Sequence, residues 1–167
     1  MQADASVATR VSSNGAHPAP TGTRCERLQY LTTRAPEFVD ITDDVRQVLA
    51  RSGVRDGIVA VFSRHTTAAI RINEAEPLLL QDMEAMLARI APPNVYYRHN
   101  DLSIRTVNVT EDEDLNGHSH CQHLLMGASE SIPVADGELL LGRWQRIFLV
   151  ELDCPRPREV VVQVVGT

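Results

Sequence analysis

The stretch Asp56–Glu74, DGIVAVFSRHTTAAIRINE, decides how this chain folds. IVAVF (58–62) is a run of β-branched and aromatic residues, the pattern of a buried strand. TAAIRIN (67–73) alternates instead. Ala68, Ile70 and Ile72 fall on one face, and Ala69, Arg71 and Asn73 on the other. That period of two marks a second strand. His65 stands at the junction of the two.

Working outward, CERLQYLTTR (25–34) places Leu28, Tyr30 and Thr32 at period two and predicts a strand, and PEFVDIT (36–42) a short second one. TDDVRQVLARSG (42–53) predicts a helix with Thr42 as N-cap, acidic residues in its first turn and Gly53 as C-cap. After the deciding stretch, EPLLLQDMEAMLARIAPP (76–93) predicts the clearest helix. Pro77 suits its first position, and Leu79, Met83, Met86 and Ile90 form one apolar stripe with Asp82 on its flank. Residues 94–117 read as a long loop, the kind of segment that carries function in a compact domain. SHCQHLLMG (119–127) predicts a short helix, with Ser119 and Gln122 at capping-box spacing and Gly127 closing it. The last third is strand-rich, with a turn at ADG (135–137) and a final strand in EVVVQVV (159–165). The sum is an α+β fold, a largely antiparallel sheet or sandwich with two or three packed helices.

The totals agree with one such domain. The chain has 167 residues, 43% hydrophobic and 23% charged, which is ordinary for a globular protein. Residues 1–24 hold almost no large apolar side chains and predict a flexible tail in which His17 is inert, leaving 25–167 as the single domain. A net charge of −6 argues against a nucleic-acid partner, which calls for a basic face. No apolar run approaches the roughly 20 residues of a membrane span. No secretory signal pattern opens the chain, and its three cysteines make a poor disulfide framework, so a cytoplasmic location is expected.

The residues that can do chemistry fall into two sets. NGHSHCQHLL (116–125) packs three of the six histidines into six positions. His120 and His123 lie one turn apart, and a helix N-terminus favours neutral imidazole, the metal-binding form. The same helix end attracts phosphate, and idle solvent-facing histidines are the plain alternative. Joined by His65 and by His99 of YYRHND, His120 can complete an open three-histidine metal site; hydrogen-bonded structural histidines are the alternative. The second set is Asn73, Glu74 and Asp82, able to hold magnesium, to act as general bases, or simply to cap and pair. EDED (111–114) reads as a solvated acidic loop, and Trp144 as a core anchor.

Taken in order, HTTAAIRINEAEP, QDME, YRHND, NGHSHCQHLLMGAS, IPV–DG–L–LGRWQRIFLVELD and PR–R resemble the YjbQ-like family over about residues 25–166. That family is commonly assigned a secondary thiamine-phosphate synthase activity. The resemblance implies a compact β-sandwich with helices, usually a homotrimer. It also implies a pocket at a subunit boundary containing His65, Asn73, Glu74, Asp82, His99 and His120. Within it, His65, His99 and His120 would hold a divalent metal, zinc or magnesium, with Glu74, Asp82 and Asn73 as catalytic groups and Arg71 as a phosphate clamp. The implied reaction joins hydroxymethylpyrimidine diphosphate to a thiazole phosphate and releases pyrophosphate. Two other uses of such a pocket remain open: a metal-dependent hydrolase of a small phosphorylated substrate, and a non-catalytic trimer that binds metal or a small ligand. The chain shows no Gly-rich diphosphate-binding loop.

Overall fold

IVAVF and TAAIRIN become neighbouring strands that belong to different sheets. In the computed structural model, which describes residues 22–167, they form β3 (Gly57–Ser63) and β4 (Ala68–Glu74). Before them come β1 (Gly22–Leu31), β2 (Glu37–Asp40) and helix α1 (Thr42–Ser52). After them come helix α2 (Pro77–Ile90), one 3₁₀ turn at Arg98–Asn100 and helix α3 (Gly117–Met126). Strands β5 (Ser129–Ala135), β6 (Glu138–Leu139), β7 (Gln145–Glu151) and β8 (Pro157–Gly166) complete the fold. Strand order is β1-β8-β3-β5-β6 in the larger sheet and β2-β7-β4 in the smaller, and these pairings are antiparallel. The expected α+β sandwich is therefore present, with three α-helices among the described residues.

Alternation along each strand builds the layers. Val59 and Val61 of β3 and Val160, Val162 and Val164 of β8 face Ala68 and Ile70 of β4 and Ile147 and Leu149 of β7 across the main core, which α1 closes with Val45, Val48 and Leu49. Each fully buried Val or Leu here contributes roughly 1.5–3 kcal/mol. The opposite face of the smaller sheet carries Ala69, Phe148 and Val150, and Leu80 and Leu87 of α2 and Met126 of α3 cover it. This second layer fixes α2 and α3 side by side. Asp136 and Gly137 both adopt positive φ, 54° and 81°, the geometry of a tight hairpin turn between β5 and β6.

Several local expectations change. β1 begins at Gly22, inside the stretch read as a tail, because Gly22, Thr23 and Arg24 need only their backbones to pair with Gly166, Val165 and Val164. The rest of that stretch, with His17, lies outside the described residues. Thr42 opens α1 without capping it: its hydroxyl donates to Asp40 and accepts from the Ile147 amide. The N-cap of α2 is Glu76, whose carboxylate accepts from the Leu78 and Leu79 amides. α2 docks through Leu80 and Leu87, so Met86 and Ile90 of the expected stripe are exposed. α3 starts at Gly117, which puts His118 inside the helix and makes Ser119 and Gln122 buried tertiary anchors instead of a capping box. Trp144 is 60% exposed, with the Arg143 guanidinium stacked over its ring.

Candidate functional site

The loop that sequence periodicity leaves unassigned is organised around one side chain. Arg105 donates to the carbonyls of His99 and Asn108, at 3.2 and 2.6 Å, and forms an ion pair with Glu113 at 2.5 Å. Glu113 in turn accepts from the Thr110 amide and hydroxyl. These bonds fold residues 99–113 back over the 3₁₀ turn. Asn100 then docks that turn on α3, its Oδ1 accepting from the Gly117 amide at 2.8 Å. The contact has no room for a side chain: a Cβ on Gly117 would lie 2.6 Å from the Tyr97 Cβ.

The consequence is that His99 and His120 meet. Their ring centroids are 4.6 Å apart in an edge-to-face arrangement, interplanar angle 66°. Burial, and then the neighbouring His99, hold the His120 pKa below the ordinary imidazole value, so its neutral form prevails near pH 7. The Nε2 atom of His99 is buried without a hydrogen-bond partner among the described residues. Both rings open into a cleft of about 810 Å³ whose walls include Thr66, Arg98, Asn108 and Glu113. Arg98 is exposed at the rim and lies outside the ion pairs of the described residues.

His65 sits one residue from the Thr66 wall. Its Nε2 accepts the Glu159 amide at 2.8 Å, which leaves the ring proton on Nδ1. Burial, and then Arg158, lower its pKa. Beneath this turn lies a buried ion pair. The Glu151 carboxylate accepts from the Arg158 guanidinium, the Thr32 hydroxyl and the Leu152 and Asp153 amides, while Arg158 also donates to Thr67. The histidine-threonine turn is thus fixed to β7 and β8 from below.

The second expected set lies elsewhere in the chain. β4 is seven residues long, and at roughly 3.3 Å per residue it carries Asn73 and Glu74 some 20 Å from the His65 turn. Asn73 and Arg71 line an apolar cavity of about 250 Å³ with Met83, Met86 and Phe148. There Arg71 is tied to Glu130 and to the Met126 carbonyl, and the Asn73 amide points at the Met83 sulfur. Glu74 lines a separate shallow pocket beside Trp144 and Arg146, and Asp82 is exposed on α2. Within one chain, then, the structure unites His99 with His120, sets His65 next to Thr66 of the cleft wall but outside its lining, and separates Arg71, Asn73, Glu74 and Asp82 from them.

Among the described residues, the one group of three His, Cys, Asp or Glu side chains with donor atoms within 4.8 Å of one another is Asp114, Asp153 and Cys154. Arg156 already supplies the positive charge there, contacting all three. His99 and His120 fit a metal by chemistry, as imidazole rings on the wall of an open cleft, but His65 does not converge with them in a single chain.

Sequence reading missed Thr66, Arg98, Arg105, Asn108 and Glu113. The pairing of Arg105 with Glu113 was legible only as opposite charges within one loop, and Glu113 was grouped with the solvated acidic run.

An antiparallel α+β sandwich with a histidine-lined cleft where a strand turn, a long loop and a helix meet defines the class. The family UPF0047 protein YjbQ-like matches residues 26–167, and the chain belongs to it. A UPF0047 protein of Methanothermobacter thermautotrophicus is 44% identical over 141 residues, 84% of this chain and 91% of that protein. YugU of Bacillus subtilis is 32% identical over 83% of this chain and 97% of its own length. A solved YbjQ-like protein of unknown function from Sulfolobus solfataricus superposes with a TM-score of 0.80 at 36% identity, covering 88% of this chain and 99% of that one. No helix among the described residues is long and apolar enough to cross a membrane.

Proposed function

We propose that the cleft between His99 and His120 is an active site for a small phosphorylated substrate. The observation that carries this reading is the buried, unpartnered Nε2 of His99, edge-on to a neutral His120 in a wide cleft with the Arg98 guanidinium at its rim. Arg98, in no ion pair among the described residues, binds the phosphate as a forked cation. His120, neutral near pH 7, offers its imidazole lone pair to a bound cation. Thr66 and Asn108 offer further hydrogen bonds from the walls.

The reaction proposed is a thiamine-phosphate synthase-like transfer, as a weak or secondary activity, joining hydroxymethylpyrimidine diphosphate to thiazole phosphate. His99 and His120 would hold a divalent cation, zinc or magnesium, which when bound supplies charge stabilisation for a leaving diphosphate. His65 becomes a third ligand only by releasing the Glu159 amide. A homotrimer is part of this proposal. It would let Asn73, Glu74, Asp82 and Arg71 of one subunit reach the histidine cleft of the next, across the distance that β4 imposes within a chain. The exposed Met86, Ile90, Leu124 and Leu125 support assembly, because soluble monomers seldom leave such a group uncovered.

The test is formation of thiamine phosphate from the two precursors by the purified protein, with and without a chelator. Formation that stops with chelator and returns with metal supports the transferase. Release of phosphate or pyrophosphate without coupling would make the site a hydrolase, and tight binding without turnover a ligand-binding module.

A further inference from the structure

Helix α3 has a second polar face. His118 and Gln122 are four residues apart and lie on one side of the helix; His120 is some 200° around from His118. They line a cavity of about 280 Å³ together with Asp153, against apolar walls that include Pro36, Ala88 and Leu152. None of these residues lines the histidine cleft.

The hydrogen bonds around this cavity leave acceptors without donors. Gln122 is 2% exposed, and its Nε2 donates to the carbonyls of Leu87 and Ala91, at 3.2 and 3.1 Å. Two carbonyl partners fix the amide orientation, so the atom left over is the oxygen. That Oε1 has no partner among the described residues. The Ser119 hydroxyl spends its single proton on the Leu152 carbonyl, at 2.7 Å. It can therefore only accept from His118, 3.2 Å away, which puts the imidazole proton on Nε2. The Nδ1 of His118 is then a bare lone pair, buried and unpartnered. The Asp153 side chain is 5% exposed, and the hydrogen bonds and ion pair made to it by Asn116, Thr67 and Arg156 all fall on Oδ2. Its Oδ1 is left to accept. The three polar side chains that line this one small cavity thus carry one amide oxygen, one imidazole lone pair and one carboxylate oxygen without a partner among the described residues, and no free donor.

We infer that this cavity is a binding site, separate from the histidine cleft, for a small molecule carrying an amidinium-type group, a flat cation with several N–H donors, on an apolar body. The three acceptors call for N–H donors. Asp153 and Asp114 share the single Arg156 guanidinium, so the local charge stays negative and favours a cation over an anion, and the Ala88, Leu152 and Pro36 walls take the apolar body. The volume lies just below the roughly 300–1,000 Å³ of sites for drug-sized ligands, so the occupant is of fragment size.

The probe is benzamidine, titrated into the full chain by calorimetry, with benzoate as a ligand of the same ring and opposite head group. Benzamidine is expected to bind once per chain and benzoate not at all. Ala88→Phe, which fills the cavity from an exposed position on α2, is expected to abolish binding. Asp153→Asn, which keeps the shape and removes the charge, should weaken it about tenfold, and covers the case in which Ala88→Phe fails to fold. His120→Asn, in the other cleft, should leave it unchanged. Equal binding of benzoate, full binding by Ala88→Phe and Asp153→Asn, or loss of binding in His120→Asn would each overturn the inference.

Discussion

Replacing Arg158 with Met tests how the histidine-threonine turn is anchored. Arg158 is 3% exposed and Glu151 is fully buried. The substitution removes a two-pronged guanidinium from the carboxylate and a 3.0 Å bond from Thr67, with similar side-chain length. Glu151 keeps the Thr32 hydroxyl and two backbone amides, but no counter-charge. Breaking a buried pair from one side costs about 3–5 kcal/mol. At about 2–4 °C per kcal/mol for a chain of this size, the melting temperature falls by about 6–20 °C. The loss depends on pH with a definite sign. Burial pushes the Glu151 carboxyl up, but Arg158 and the Asp153 amide hold it below its ordinary 4.5 in the native chain. The native pair therefore stabilises the fold above that value and fades as pH falls. In the variant only the Thr32 hydroxyl and the two amides still oppose burial, the folded carboxyl protonates more readily, and the gap to wild type narrows between pH 7 and 4. Urea denaturation at both pH values measures it, and Glu151→Gln in the Arg158→Met background should recover most of the loss. A loss under about 1 kcal/mol, or no recovery in the double variant, would refute this account of the anchor.

Three other outcomes follow from the same contacts. Gly117→Ala forces a Cβ against Tyr97 and Asn100 and should cost about 1–3 kcal/mol while shifting the His99 ring resonances; unchanged stability and spectra would mean the 3₁₀ turn is not seated on α3. Arg105→Gln removes the guanidinium that holds the 99–113 loop, so limited proteolysis should open sites between 104 and 113 that are protected in wild type. Burial lowers the pKa of His65, His118, His120 and His123, so the unfolded chain takes up protons first as pH drops through about 6.5. Stability should be level above pH 7 and fall from about 6.5 towards 5; a rise over that window would contradict the burial of these rings.

The strands were legible because their periods are strong. TAAIRIN and the valines of β8 carry the sandwich in their alternation, and β4 keeps Ala68 and Ile70 on one side and Ala69 on the other, whereas IVAVF, read as a continuously buried run, buries only Val59 and Val61 and exposes Ile58 and Phe62 on its other face. Helix caps were less legible. Ser119 and Gln122 have the spacing of a capping box, yet the Leu152, Leu87 and Ala91 carbonyls, brought close only by tertiary packing, use their polar atoms instead. For the candidate site, sequence picked out His99 and His120 as residue types in promising segments. It did not reveal that Arg105 and Glu113 fold the loop between them. Nor did the motif order reveal separation. HTTAAIRINE reads as one continuous signature, but an extended strand puts its two ends far apart.

The most direct test of the central claim is a calorimetric titration of inorganic diphosphate, with zinc or magnesium present, into the wild-type chain and into Arg98→Ala and His120→Asn. The account predicts one site per chain in wild type. Each variant should bind about tenfold or more weakly, since one loses the phosphate-binding guanidinium and the other a ligand of the cation, with melting temperature unchanged. Absence of binding in wild type, or wild-type affinity in both variants, would contradict the assignment of the His99–His120 cleft as the functional site.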